Sequence, residues 1–312
     1  MTVWQSPITG QQEQLLPDED SPASEWALDA GKRALDELFS LTTQYRSGES
    51  YHELLKFVSR FRRYSPFNAM LVHIQKPGSR FIAPPSRWIK QYGRTIKPGA
   101  QPLVILQPMG PVMFVFDVSD TEGDALPAEV ENPFEVRSGK VGSELPRTID
   151  NACRDGIRIT KVRHGSQRAG SIGPSTAPGY VQFLTQTKPK EVYLDVPLQY
   201  ELLLNENHSN ESQYATLVHE LAHLYCGHLG TPNDKWWPDR RGLPLTVREF
   251  EAESVAHLVC RRLGIDPKSE EYLSGYVERK AEVPPISLEC VMKVAGLIES
   301  MGHSRLAQRK KS

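Results

Sequence analysis

The sequence predicts an α+β chain in two domains: a helical, basic N-terminal domain with a β-hairpin, then a domain with a small sheet and a helix bearing His-Glu-x-x-His. Three observations lead there. Apolar residues recur at helical spacing in several long stretches. Two apolar runs, Leu103–Leu106 and Val112–Val118, flank Pro108-Met109-Gly110-Pro111 and read as a hairpin. Between the halves, residues 119–146 are acidic and rich in Pro and Gly with no firm period, which marks a boundary.

In chain order, residues 1–24 are polar and acidic and are expected to form a mobile tail. From Glu25, Trp26, Leu28, Leu35, Leu38 and Leu41 set a helical period to about Tyr45. Ser50 opens a second helix through Phe61, a third is expected over Asn68–Gln75, and a short one near Ser86–Tyr92. Residues 25–125 are expected to form the first domain, 126–146 a linker, and 147–312 the second domain. In the second domain a helix near Arg147–Cys153 leads to a strand at Ile157–Val162. The glycine-rich stretch His164–Pro189 reads as loop, with a short strand at Tyr180–Leu184, and Glu191–Val196 alternates as a strand. Helices follow from Asn207–Asn210 to about Leu229, over Leu245–Leu263 and from about Ser287 to Met301. The basic tail Arg305–Lys311 is expected to be solvated.

Composition excludes several classes. The chain has 312 residues, 37 Lys+Arg against 38 Asp+Glu, and a net charge of -1, so bulk charge favours no partner. No apolar run approaches the roughly 18 residues of a membrane span. The first twenty residues carry neither a basic nor an apolar segment of the secretory kind. Cys153, Cys226, Cys260 and Cys290 lack CxxC spacing. The expectation is a cytoplasmic protein without a membrane partner.

The sharpest signal is His219-Glu220-Leu221-Ala222-His223. Residues four apart on a helix lie one turn above each other, so both imidazoles can reach one metal ion. Glu220 sits about 100° around from His219 and can serve as general base toward a water at that metal. A catalytic zinc needs a third protein ligand. In the next helix Glu249 and Glu253 share a face, whereas Glu251 points about 200° away from Glu249. One glutamate can ligate and another can orient a histidine through its free ring N–H. Spacing leaves Glu249, Glu253 and Glu251 all open, and Thr246-x-x-Glu249 is also a capping-box pattern. His228, five residues beyond His223, is turned about 140° off the ligand face, a helix-end histidine or an oxyanion donor. Cys226 shares the ligand face and reads as a small buried residue or a soft ligand.

Residues 214–228, with Glu249-x-x-Ala252-Glu253 after them, resemble the ImmA/IrrE metallopeptidases of the gluzincin class. The resemblance implies a gluzincin-like domain holding one Zn²⁺ per chain. It gives the ligand role to His219, His223 and Glu249, the base role to Glu220 and an orienting role to Glu253. The implied activity is that of a zinc-dependent metallo-endopeptidase on a protein or peptide substrate.

Residues 54–100 hold ten Lys/Arg and no acid, interleaved with seven aromatics. Bases that track phosphates, with rings for stacking, suit single-stranded nucleic acid. The other reading is a helical core around Phe57 and Phe61 with a solvated basic face. Pro66-Phe67-Asn68-Ala69-Met70-Leu71, Trp88-x5-Arg94, Lys97-Pro98-Gly99 and Val115–Thr121 resemble the N-terminal single-strand-binding domain of ArdC-type antirestriction proteins. That resemblance implies DNA contacts at Trp88, Arg94 and Lys97; the basic stretch itself adds Arg62 and Arg63 as candidates. It supports an alternative function, an antirestriction or single-stranded-DNA-binding protein whose metal is structural or vestigial.

Overall fold

The computed structural model describes residues 45–107, 110–126, 139–163, 169–266 and 282–309. The expected tail 1–24 and, save Tyr45, the expected helix 25–45 lie outside them. The described residues fall into two units, one within Ile74–Pro127 and one within Thr43–His73 and Ala128–Ser312. Residues 45–73, expected with the first domain, therefore belong with the second. Helix α1 (Gly48–Arg60) starts at Ser47, whose side chain accepts from the Ser50 N–H, and buries Leu54, Leu55 and Val58. Helix α2 (Pro66–Gln75) is apolar almost all round, and Ala69, Met70, Leu71 and Val72 are fully enclosed.

In the first unit come β1 (Ile82–Ala83), α3 (Pro85–Tyr92), β2 (Arg94–Ile96), β3 (Leu103–Gln107), β4 (Gly110–Asp117) and β5 (Thr121–Gly123). The expected hairpin is present: β3 and β4 pair antiparallel, Leu103 opposite Val115, and β1 adds to the other edge of β4. Helix α3 begins with proline at its first position and ends on Gly93 at φ 59°, the asymmetry that fixes both ends of a short helix. Its inward residues, Trp88 and Tyr92, join Phe81 in one aromatic core.

The second unit contains α4 (Glu144–Ala152), β6 (Ile157–Val162), β7 (Gly170–Pro174), β8 (Tyr180–Gln186), β9 (Val192–Pro197), β10 (Tyr200–Asn205), α5 (Asn210–Tyr225), α6 (Leu245–Leu263) and α7 (Leu288–His303). The sheet order is β6-β10-β7, with β10 parallel to β6 and antiparallel to β7. β8 and β9 form a separate antiparallel ribbon. Strand β7 lies in the stretch expected as loop for its Gly170, Gly173 and Pro174, and β10 lies where the sequence predicts no strand. Arg309, expected in a solvated tail, instead bonds the buried Asp155 carboxylate and lies 5.4 and 5.2 Å from the rings of Trp236 and Trp237. Burial of Leu217, Val218 and Leu221 on α5 fastens that helix to the core, each contributing about 1.5–3 kcal/mol. The class is α+β, and among the described residues no helix is long and apolar enough to cross a membrane.

Candidate metal centre

Helix α5 is placed by its apolar stripe and by Ser209, whose hydroxyl accepts from the Ser212 N–H at its start. That orientation turns His219 and His223 outward, one above the other. Helix α6 packs across it and brings Glu249 and Glu253 to the same side. Pro244 precedes α6 without a side-chain cap, so Thr246 lies inside the helix and the capping-box alternative for Glu249 is not realised.

The Nε2 atoms of His219 and His223 are 3.1 Å apart, and the Glu249 Oε2 lies 3.7 and 3.6 Å from them. A triangle with those edges has a circumradius of about 2.0 Å, the length of a bond from zinc to imidazole nitrogen or carboxylate oxygen. The donor set thus fits a single cation with one side left open. Burial, then the neighbouring His223, holds His219 down to about pH 4; burial, then His228 and Arg248, does the same for His223. Both rings are therefore neutral near pH 7 and carry the lone pair a metal requires.

Glu253 Oε1 is 3.4 Å from His219 Nδ1, the nitrogen that faces away from His223. Burial and the adjacent Glu249 raise the Glu253 carboxyl to about 7. Glu220 is raised to about 7, mainly by burial, with Glu249 adding to the rise and the Ile172 N–H bonded to it opposing it. Ile172 belongs to β7, so the strand missed in the sequence reaches the site. Gly170 lets β7 approach: a Cβ there would meet the Thr216 side chain at 2.6 Å and the Leu203 carbonyl at 2.7 Å. A cleft of about 660 Å³ opens on His219 and Glu220, walled by Gly170, Thr216 and Glu253.

Three residues beneath the site escaped the sequence reading in this role. Helix α5 stops at Tyr225, and Gly227 takes φ +81°, where a Cβ would meet the Pro238 carbonyl at 2.0 Å. The reversed chain folds His228 back under the helix, so its angle on an ideal helix does not apply. His228 Nδ1 stands 3.0 Å from His223 Nδ1, and its Nε2 stands 2.9 Å from Glu251 Oε2. Glu251, pointing away from Glu249 as expected, is fully buried and receives both guanidinium arms of Arg240 at 2.7 and 2.6 Å and the Ser287 N–H at 2.8 Å. These donors outweigh burial and hold its carboxyl below the ordinary value.

The residues expected at DNA fare differently. Trp88 is wholly enclosed, its Nε1 donating to the Phe116 carbonyl at 3.0 Å, so it has no face for a base. An aromatic at the inner position of an amphipathic helix is core, whatever bases surround it in sequence. Trp88→Phe should lower the stability of the first unit by roughly 1–3 kcal/mol through the unmade hydrogen bond, a shift readable by urea denaturation. Arg94 spends its guanidinium on the Thr121 hydroxyl and carbonyl, both at 2.9 Å. Lys97 is exposed and donates to the Ser119 carbonyl. Arg62 and Arg63, both exposed, belong to the second unit, where Arg62 donates to the Arg261 carbonyl.

Two neutral imidazoles one helical turn apart, closed by a carboxylate from the next helix, define a candidate mononuclear metal centre. Residues 179–260, from β8 into α6, match the family model of the IrrE N-terminal-like domain, Peptidase_M78. The ImmA/IrrE resemblance expected from the sequence is thereby found in the stretch that holds the centre. No curated protein matches the chain. Among solved structures, the antirestriction ArdC protein from the R388 plasmid is similar in its metal-free and Mn(II)-bound forms, at 14% and 15% identity. The match covers 81% of this chain and 94% and 95% of those, with TM-scores of 0.32 and 0.33. A likeness of that size carries no inference about this chain's geometry or chemistry.

Proposed function

We propose that the second unit is a zinc-dependent metallo-endopeptidase, with His219, His223 and Glu249 as ligands to one Zn²⁺ per chain and Glu220 as general base. The observation that carries the proposal is the meeting of those three donor atoms around a single point beside an open cleft. The match to a peptidase family model over 179–260 supports peptide as the substrate class. When bound, the ion supplies a Lewis acid that polarises a carbonyl and acidifies water. Glu220, next to His219 and lining the cleft, takes the proton from the attacking water and returns it to the leaving amine. The Ile172 N–H holds that carboxylate in place. Glu253, 3.4 Å from His219 Nδ1, is the group placed to orient that ring.

The test is bound metal per chain in wild type, Glu249→Ala and Glu253→Ala after loading with zinc. One zinc is expected in wild type and none in Glu249→Ala. Glu253→Ala should retain zinc with an affinity on the order of 10- to 100-fold weaker. A folded wild type that takes up no zinc sinks the proposal.

The second reading, a single-stranded-DNA-binding antirestriction protein, draws support from the exposed Arg80, Arg87, Lys90 and Lys97 of the first unit. Single-strand affinity that falls steeply with salt and persists in Glu249→Ala, with no peptide cleavage by wild type, would favour it.

A further inference from the structure

We infer that His228, Glu251 and Arg240 are positioning residues that fix the tautomer and orientation of His223, and so set how tightly the centre holds its cation. The inference rests on reading His219, His223 and Glu249 as the cation site. For Nε2 of His223 to ligate, that nitrogen must be bare and the ring proton must sit on Nδ1. Nδ1 faces His228 Nδ1 at 3.0 Å, so the latter must accept and His228 must carry its proton on Nε2. That Nε2 faces Glu251 Oε2 at 2.9 Å, an oxygen placed to accept from it. Arg240, bonded through both arms, and the Ser287 N–H donate to the same carboxylate, so it has no neighbour to which it would give a proton.

Each contact therefore runs one way, from His223 Nδ1–H to His228, from His228 Nε2–H to Glu251, and from Arg240 to Glu251. Reversing the first contact would put the His223 proton on its metal-facing nitrogen. It would also leave His228 Nε2 either bare against a carboxylate or part of an imidazolium beside a carboxylate already balanced by Arg240. The side chains of His228 and Glu251 are wholly buried, so no water competes for these groups. His219 has a simpler neighbour in the same position, Glu253 at 3.4 Å from its Nδ1.

Cys226 Sγ, His228 and Glu251 also lie within 4.8 Å of one another, but Arg240 already supplies the positive charge there. A second cation would meet a guanidinium, and the cluster reads as a support for the first centre.

The experiment is zinc affinity of the full chain by competition with a chelator, in wild type, His228→Leu and His228→Asn, beside circular dichroism of each. His228→Leu should hold zinc on the order of 10- to 100-fold more weakly while keeping the wild-type spectrum. Asparagine places an acceptor near the position of Nδ1 and should recover part of that loss. Histidine-¹⁵N spectra of zinc-loaded wild type need no variant and should show His223 protonated on Nδ1 and His228 on Nε2 alone. Unchanged zinc affinity in a folded His228→Leu, or a proton on His228 Nδ1, overturns the inference while leaving the centre standing. A wild type that binds no zinc overturns the centre itself.

Discussion

Glu220→Gln is expected to bind zinc as wild type does and to cleave peptides roughly 10²- to 10⁴-fold more slowly. Glutamine has the same length, and its amide oxygen can still accept from the Ile172 N–H, so the side chain stays where the carboxylate was. It is not one of the three ligand residues. An amide, however, cannot accept a proton from water near neutral pH. The deficit should therefore fall on kcat with metal content unchanged. Cleavage of a mixed peptide library, read by mass spectrometry alongside zinc content, checks both halves. Wild-type cleavage by Glu220→Gln would remove Glu220 from the chemistry. Loss of zinc would instead make it a structural part of the centre.

Much of the centre was legible because its parts are local. His219, Glu220 and His223 share one helix, and a period of 3.6 residues decides what lies beside what. Glu249 required the resemblance, since spacing could not choose between it and its neighbours on α6. What stayed hidden depends on chain reversals and distant pairings. His228 was misplaced because Gly227 ends the helix between them, and a single left-handed residue invalidates any angle carried forward from an ideal helix. Strand β7 has the composition of a loop, Gly-Ser-Ile-Gly-Pro, and is a strand only because β10 offers it a ladder from Leu204 to Tyr200. The aromatics among the bases invited a nucleic-acid reading, but Phe57, Phe61 and Tyr64 stack on one another, and Trp88 closes a core. The placing of residues 45–73 in the first domain differs from the structure for a similar reason, whereas the division after Pro127 falls within the expected linker. Residues 45–73 look continuous with the basic stretch, and what holds them to the second unit is some two hundred residues away in sequence.

That holding residue is Arg262, and Arg262→Met is expected to cost about 3–5 kcal/mol of stability. Its guanidinium is buried at the C-terminal end of α1. There Nη1 donates to the Val58 and Phe61 carbonyls at 2.7 and 3.1 Å, and Nη2 to that of Tyr64 at 2.7 Å. The last carbonyls of a helix lack intrahelical donors and carry partial negative charge, so a planar cation with five donors suits the place doubly. Nε meanwhile bonds Glu299 of α7, so one side chain ties α1, α6 and α7 together. Methionine fills similar volume but removes every donor and leaves Glu299 without its counter-charge. Lysine should recover only part of the loss, because a single ammonium cannot serve three divergent carbonyls and a carboxylate together. Urea denaturation of wild type, Arg262→Met, Glu299→Met and the double variant measures both the cost and its origin. If the stranded charge dominates, the double variant should be more stable than Arg262→Met alone. If the unmet carbonyls dominate, it should not. A loss under about 1 kcal/mol for Arg262→Met, the range of an exposed ion pair, would show that α1 is held by its apolar face and not by this guanidinium.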